Sequence, residues 1–526
     1  MPQPLSTPAA EPRPSILDDR SLLGHPIGLG LLFLVEMWER FSYYGMRAFL
    51  VLYLVHALGW SDARATGLYG SYTSLVYLTP LIGGYLADRL IGTRRSLVLG
   101  SVIIALGHFS LAIPSMATFY VGLGLIVVGT GFFKSNAATM VGQIYRPGDP
   151  RRDAGFTIYY MGVNAGAFGG PLICGLLAEK VGWHWGFGAA GVGMLAGLVM
   201  YLWLRNEYLP GIGVRAEGTR AAQAAAEGAS GTDQRMLLNG AAGALLGGAV
   251  AWALSGWNWY PVLLGMAVGI AFAVTVFGTR GAERRRVLGI FLTAFFVVFF
   301  WTAYEQAGSS MNLFADRHTA LPAIHGWTMP ASWFQWFNPI MILVLAPLFA
   351  ALWGALSRRR REPSTAMKMV AGLFLLGVGF LFMVQGGRGA DSGVKVSAWW
   401  LTLAYLFHTF GELCLSPVGL SYVSRLAPAR YASLLMGAWY LANTIANKLS
   451  GALAGLTPTP GVERSAAAAG LAGYLQRATS TNAGFFALFV VMGLAGGALM
   501  LLFVPLIKWL TQGPEGKAPA AEEGAA

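Results

Sequence analysis

Apolar runs of membrane-spanning length, broken by short polar or charged turns, recur along the whole chain. Bounded at those breaks, they predict fourteen helical spans. The first six cover 27–57, 66–90, 96–114, 117–143, 154–178 and 186–205. Two more, 236–254 and 258–278, form a hairpin around an Asn258–Pro261 turn. The last six cover 287–315, 332–356, 366–385, 397–424, 431–455 and 482–511. Stretches such as Ser96–Gly131 and Phe485–Leu506 hold no Asp, Glu, Lys or Arg and match or exceed the roughly 20 residues that cross hydrocarbon. The expected fold class is an all-α polytopic membrane protein.

The halves also echo one another. Pro80 to Ala87 leads into Asp88, Arg89, Arg94 and Arg95; Pro347 to Ser357 leads into Arg358–Arg361. Ala154–Asn164 is matched by Ala432–Asn443. Parallel repeats of this kind are a known transporter plan. The expected organisation is therefore a cytoplasmic tail (1–26), a six-helix bundle (27–205), a linker with the inserted hairpin (206–285), a second six-helix bundle (286–512) and a disordered tail (513–526). Lacking polar residues inside its spans, the hairpin is expected to be peripheral.

Only 11% of the 526 residues are charged, against about 25% in soluble chains. The 70 glycines lie largely inside apolar runs, where they let membrane helices approach. A net charge of +12 raises nucleic acid as a partner, but the cations sit in alternate short loops. Arg89/Arg94/Arg95, Arg146/Arg151/Arg152, Arg205 to Arg235, Arg284–Arg286, Arg358–Arg361 and Arg425/Arg430 form one set; the other loops hold single cations such as Arg64, Lys180 or Arg317. The positive-inside rule places the rich set and both termini in the cytoplasm, and no nucleic acid is expected. Cys174 and Cys414 both lie in apolar spans, so neither a disulfide framework nor a metal site is expected, and no cofactor. The first 25 residues lack the apolar core of a signal peptide, leaving the first span as its own insertion signal.

Against that apolar background stand Glu36, Glu39, Arg40, Arg47, Lys134, Glu305, Glu412 and Lys448, all within spans. Intramembrane charge is costly unless paired or wetted, and marks cargo or proton pathways. Positions 36, 40, 43 and 47 share one helical face. Glu36 and Arg40 could simply pair at i,i+4, yet such a pair inside a bilayer carries a desolvation cost that a wet surface avoids. Arginine also grips a carboxylate with a planar fork, as lysine cannot. Lys134 follows Gly131, with Glu36 and Glu39 its expected partners; a snorkelling lysine is the alternative. In the second half, Glu305 follows Trp301 by one turn, and Glu412 precedes Pro417. Each aromatic taken singly fits packing as well as ligand contact, and His408 fits either role.

These residues carry a resemblance. Glu36-x-x-Glu39-Arg40-Phe41-x-Tyr43-Tyr44-Gly45 resembles the first-helix motif of the proton-dependent oligopeptide transporter family, within the major facilitator superfamily. Phe156–Gly166 is similar to that family's fifth-helix motif, Gly411–Ser421 to its tenth-helix motif, and Asp88–Arg95 to the superfamily's cytoplasmic loop between helices two and three. The resemblance implies two six-helix bundles of the major facilitator fold, with two extra helices as in bacterial members. It implies proton-coupled symport of di- and tripeptides by alternating access, as a monomer in the bacterial cytoplasmic membrane.

By motif position, Glu36, Glu39, Arg40, Lys134 and Glu305 would couple protons. Peptide contacts would fall to Arg47, Tyr43, Tyr44, Tyr72, Lys134, Asn164, Trp301, Glu305, Asn338, Glu412, Ser416 and Trp439. Asp88, Arg89, Arg94 and Arg95 would form the gating loop. Many bacterial relatives carry adjacent acids on helix seven; here Tyr304 precedes Glu305. Mammalian relatives use a helix-two histidine, which span 66–90 lacks. Other cargo on the same fold, nitrate or another organic anion, or an exported drug, is the alternative. A membrane-embedded enzyme would need a nucleophile–base or metal cluster that the sequence does not display.

Overall fold

The computed structural model describes residues 21–22, 24–146, 149–214, 234–255, 258–428, 431–459 and 470–512. The expected N-terminal tail (apart from a few residues), most of the connector, the expected C-terminal tail and Arg430 lie outside the described residues, as do the side chains of Asp88, Arg89 and Ser416.

Among the described residues there are fourteen long helices: α1 Gly28–His56, α2 Asp62–Leu86, α3 Thr93–Leu111, α4 Met116–Gln143, α5 Arg152–Gly170, α6 Trp183–Tyr208, α7 Gln234–Ser255, α8 Trp259–Phe277, α9 Gly281–Tyr304, α10 Phe337–Arg358, α11 Thr365–Asp391, α12 Trp399–Leu426, α13 Ala432–Ala454 and α14 Asn482–Gln512. They correspond one for one to the predicted spans. Helix starts carry side-chain caps where the sequence offers them. Ser61 accepts from Arg64 N, Ser364 from Met367 N, and Asn258 from Tyr260 N. Each relieves an unpaired first-turn amide. The α2–α3 turn closes on Gly92, whose φ of +83° suits glycine best.

Ten of these spans are long and apolar enough to cross a membrane, and the chain is a multi-pass membrane protein. Helix α1 is not among the ten, because every 18-residue window of it holds at least three of Glu36, Glu39, Arg40 and Arg47. A helix this charged persists in a bilayer only when its polar face is turned away from lipid.

The packing plan of α1–α6 recurs in α9–α14. Helix α1 rests on α5 and α6 as α9 rests on α13 and α14; α3 rests on α4 and α6 as α11 rests on α12 and α14; α2 meets α4 as α10 meets α12. This is the expected major facilitator arrangement of two six-helix bundles with a two-helix insertion. The bundles meet mainly where α2 crosses α13. There a Cβ on Gly70 would lie 2.6 Å from the Gly451 Cα, so backbone rests on backbone.

Several polar ties between the bundles gather at one end. Asp62 accepts both terminal nitrogens of Arg317, at 2.6 and 2.7 Å, and the Thr459 hydroxyl at 2.9 Å. Glu179 accepts from the Ala331 and Ser332 amides at 2.9 and 3.0 Å. Asn312 and Gln335 both donate to the Ala48 carbonyl, at 2.7 and 2.8 Å. Together these seal the end that holds the α1–α2, α5–α6 and α9–α10 connections.

The hairpin departs in part from expectation. Helices α7 and α8 cross through facing glycines; a Cβ on Gly247 would collide with the Gly265 carbonyl. Helix α7 is largely exposed, but α8 is tied into the seam. Ser74 donates to the Thr444 carbonyl at 2.6 Å. The Ser74 proton being used there, the Tyr260 hydroxyl 2.6 Å away donates to Ser74. First bundle, second bundle and insertion thus meet at one hydroxyl. The periodicity of α8 is that of a lipid-facing helix and gave no sign of this, because a tyrosine at a helix end reads as an interfacial anchor.

Candidate functional site

Between the bundles lies a cavity of about 360 Å³. Its walls come from α1, α2, α4 and α5 on one side and α9, α10, α12 and α13 on the other. The α1–α5 wall is set by glycine. A Cβ on Gly162, Gly166 or Gly170 would lie 2.8, 2.1 or 2.4 Å from the Phe33, Met37 or Phe41 carbonyl oxygen. Glycine at every fourth position lets α5 lie against the α1 backbone, which brings its tyrosines to the acids of α1.

Six charged residues line the cavity: Glu36, Arg40, Arg47 and Lys134 from the first bundle, Glu305 and Glu412 from the second. Four of them are paired. Arg40 Nε donates to Glu36 Oε1 at 3.0 Å, while the Tyr159 hydroxyl donates to Glu36 Oε2 at 2.5 Å. Arg47 pairs across the seam with Glu305 and also donates to the Tyr69 hydroxyl at 2.5 Å. Neither Lys134 nor Glu412 has an ion-pair partner among the described residues. Lys134 Nζ lies 4.0 Å from the centroid of the Tyr77 ring, a cation–π contact. Glu412 Oε2 accepts from the Tyr304 hydroxyl at 2.5 Å and from Asn338 Nδ2 at 2.9 Å. The cavity therefore presents one uncompensated cation on the first bundle and one uncompensated anion on the second. A closed ion pair is already satisfied; an open charge in a desolvated site demands a partner.

Several expected residues take these positions, and several do not. Tyr44, Asn164, Trp301 and Asn338 line the cavity as expected. Lys134 does not pair with Glu36 or Glu39: Arg40 and Tyr159 already occupy Glu36, and Lys134 rests on Tyr77. Glu39 is fully buried behind the wall, its Oε2 2.5 Å from Arg40 Nε. Two carboxylates thus share one guanidinium. Tyr43, Tyr72 and Trp439 are buried in the packed core and are not among the described lining residues; Tyr440 lines the wall beside Trp439. Their aromatic character fits packing equally well, so spacing alone could not sort them. Ser416, Asp88 and Arg89 have no described side chains. Arg94 reaches the carbonyls of Arg205 and Leu209 at the end of α6, and Arg95 is exposed.

Tyr77, Tyr159, Tyr160, Tyr304 and Tyr405 also line the cavity, although their spacing alone did not mark them for it. A signal was available on α5, where Tyr160, Asn164 and Ala167 follow helical spacing along one face.

Comparisons with known proteins agree with this geometry. The POT family model matches residues 94–210 and 257–470. The chain is 36% identical over 464 residues to the peptide transporter YePEPT of Yersinia enterocolitica, covering 83% of this chain and 89% of that protein. It is 34% identical over 511 residues to a di-/tripeptide transporter of Lactococcus lactis, covering 93% and 97%. A crystal structure of a peptide transporter POT in complex with sulfate superposes with a TM-score of 0.76, at 34% identity, over 93% of this chain and 97% of that one.

Proposed function

This chain belongs to the POT family, and from that premise we propose that it carries di- and tripeptides across the bacterial cytoplasmic membrane together with protons, by alternating access. The carrying observation is the pair of open charges, Lys134 on one bundle and Glu412 on the other. A short peptide is a zwitterion whose ends bear the complementary charges. Its carboxylate goes to Lys134 and its ammonium to Glu412, so binding draws the bundles together. A simple anion such as nitrate satisfies Lys134 but leaves Glu412 open, which disfavours it as cargo.

Proton coupling falls to the first-bundle network. Glu36 and Glu39 compete for Arg40, so a proton on either acid redistributes the guanidinium. The Arg47–Glu305 pair joins cavity to seam: protonating Glu305 loosens a tie between the two bundles at the cavity wall. The loops rich in arginine face the cytoplasm, both termini lie there, and the sealed end faces outward. The working units are bundles 27–205 and 286–512, with the linker and hairpin at 206–285 between them. The cavity is walled by one chain, so a monomer is a complete carrier. Each charge that moves down the membrane potential contributes about 2.3 kcal/mol per 100 mV.

Uptake of a labelled dipeptide into proteoliposomes tests the reading. Accumulation should follow an imposed inward proton gradient and be competed by di- and tripeptides, not by nitrate. Uptake indifferent to the gradient, or inhibited by nitrate alone, would overturn it.

A further inference from the structure

We propose that Tyr304 is a positioning residue that fixes which oxygen of Glu412 meets the substrate, and so sets the carrier's demand for a free α-amino group. This rests on the peptide reading above.

Three acids line the cavity, and their partners differ in kind. Glu36 has both oxygens engaged, one by Arg40 and one by Tyr159. Glu305 is charge-compensated by Arg47. Glu412 alone is held only by neutral donors, and both of these, Tyr304 and Asn338, reach the same oxygen, Oε2. Oε1 is left without a hydrogen-bond partner among the described residues, on a side chain that lines the cavity. Neutral donors orient a carboxylate without cancelling its charge. The result is an anion with one oxygen fixed and the other presented, which is what an ammonium donor requires.

Both donors are themselves held. Asn338 Nδ2 also donates to Thr409 Oγ1 at 3.1 Å, and Thr409 donates to the Tyr405 carbonyl at 2.7 Å. The Tyr304 ring stacks on Phe300, with centroids 5.7 Å apart and planes at 19°, and abuts the edge of Trp301 at 5.1 Å. Its place in the chain matters as well. Helix α9 ends at Tyr304 and tightens into a 3₁₀ turn over Glu305–Gly308. Across this junction the neighbours Tyr304 and Glu305 both line the cavity, one directed to Glu412 and the other to Arg47. The terminal torsion of a glutamate is broad, so without the phenol the carboxylate is free to turn about the remaining Asn338 bond.

Tyr304→Phe keeps the ring and its stacking and removes only the donor. In proteoliposomes the expected result is a KM for a free-amine dipeptide raised about tenfold, as fits the loss of one hydrogen bond to a charged group. Maximal counterflow should be unchanged, and the inhibition constant of the same dipeptide N-acetylated should not move. The preference for the free amine therefore collapses. If both constants rise together, or neither changes, the assignment is wrong. Should the variant lose uptake, the same two ligands are titrated against purified full-length protein, and the ratio of their affinities decides in the same way. A wild-type protein that ignores both dipeptides would instead remove the peptide reading, and this assignment with it.

Discussion

Asp62→Asn isolates the force that holds the sealed end shut. The Asp62 carboxylate begins α2, its side chain is 4% exposed, and it takes a bidentate Arg317 from the other bundle as well as the Thr459 hydroxyl. The amide keeps the shape and one acceptor but removes the charge. Breaking a fully buried pair costs about 3–5 kcal/mol. Arg317 keeps 17% of its side-chain exposure, so water recovers part of that, leaving about 2–3 kcal/mol. In the opposite state of the cycle the two groups separate into water, and the substitution costs little there. The balance between states should therefore shift about 30- to 150-fold towards the state open at this end. Spin labels at the ends of α2 and α9 should report a longer distance in the variant, and a thiol probe should reach the cavity from this side faster. An unchanged distance distribution together with unchanged thiol reactivity would show that the pair does not hold this end, and the reasoning would fail.

Other substitutions probe the remaining contacts. Arg40→Lys keeps the charge but loses the rigid guanidinium Nε on which Glu36 and Glu39 both converge. Gradient-driven uptake should fall at least about tenfold while dipeptide counterflow persists; equal loss of both would mean the network serves binding and not coupling. Gly166→Ala places a methyl 2.1 Å from the Met37 carbonyl, where backbone cannot yield. Thermal unfolding in detergent should show a loss of about 2–3 kcal/mol or more, whereas an unchanged midpoint would mean α5 is not seated as described. Tyr260→Phe deletes the hydroxyl that binds the hairpin to Ser74 and should cost about 1 kcal/mol in the same assay. If it costs nothing, the hairpin is held by apolar packing alone.

Much of the fold was legible because a bilayer permits few solutions. Each span must satisfy its own backbone, so length and hydropathy located all fourteen helices, and Pro80 and Pro347, each fourteen residues ahead of an arginine of the next basic turn, marked the repeat. The charged face of α1 was legible for the same reason, since Glu36, Arg40 and Arg47 have no reason to lie there unless they line a cavity. Partner choice was not legible. Lys134 was expected on the acids of α1, but the helix that carries it also borders α2, and Tyr77 takes the ammonium. Tyr43, Tyr72 and Trp439 were expected at the cavity and went into the core, because an aromatic ring satisfies either place. Tyr159 and Tyr304 carry the same ambiguity, and only the tertiary packing brings their hydroxyls to Glu36 and Glu412.

The crossing of α2 and α13 at Gly70 and Gly451 bears on how the molecule moves. With no side chains interposed, neither rod can lift from the other without opening a void, yet little prevents one from swivelling on the other. Such a point behaves as a fulcrum: the two bodies can rock about it while their spacing stays constant. A methyl added at either position would act as a shim, wedging the bodies apart.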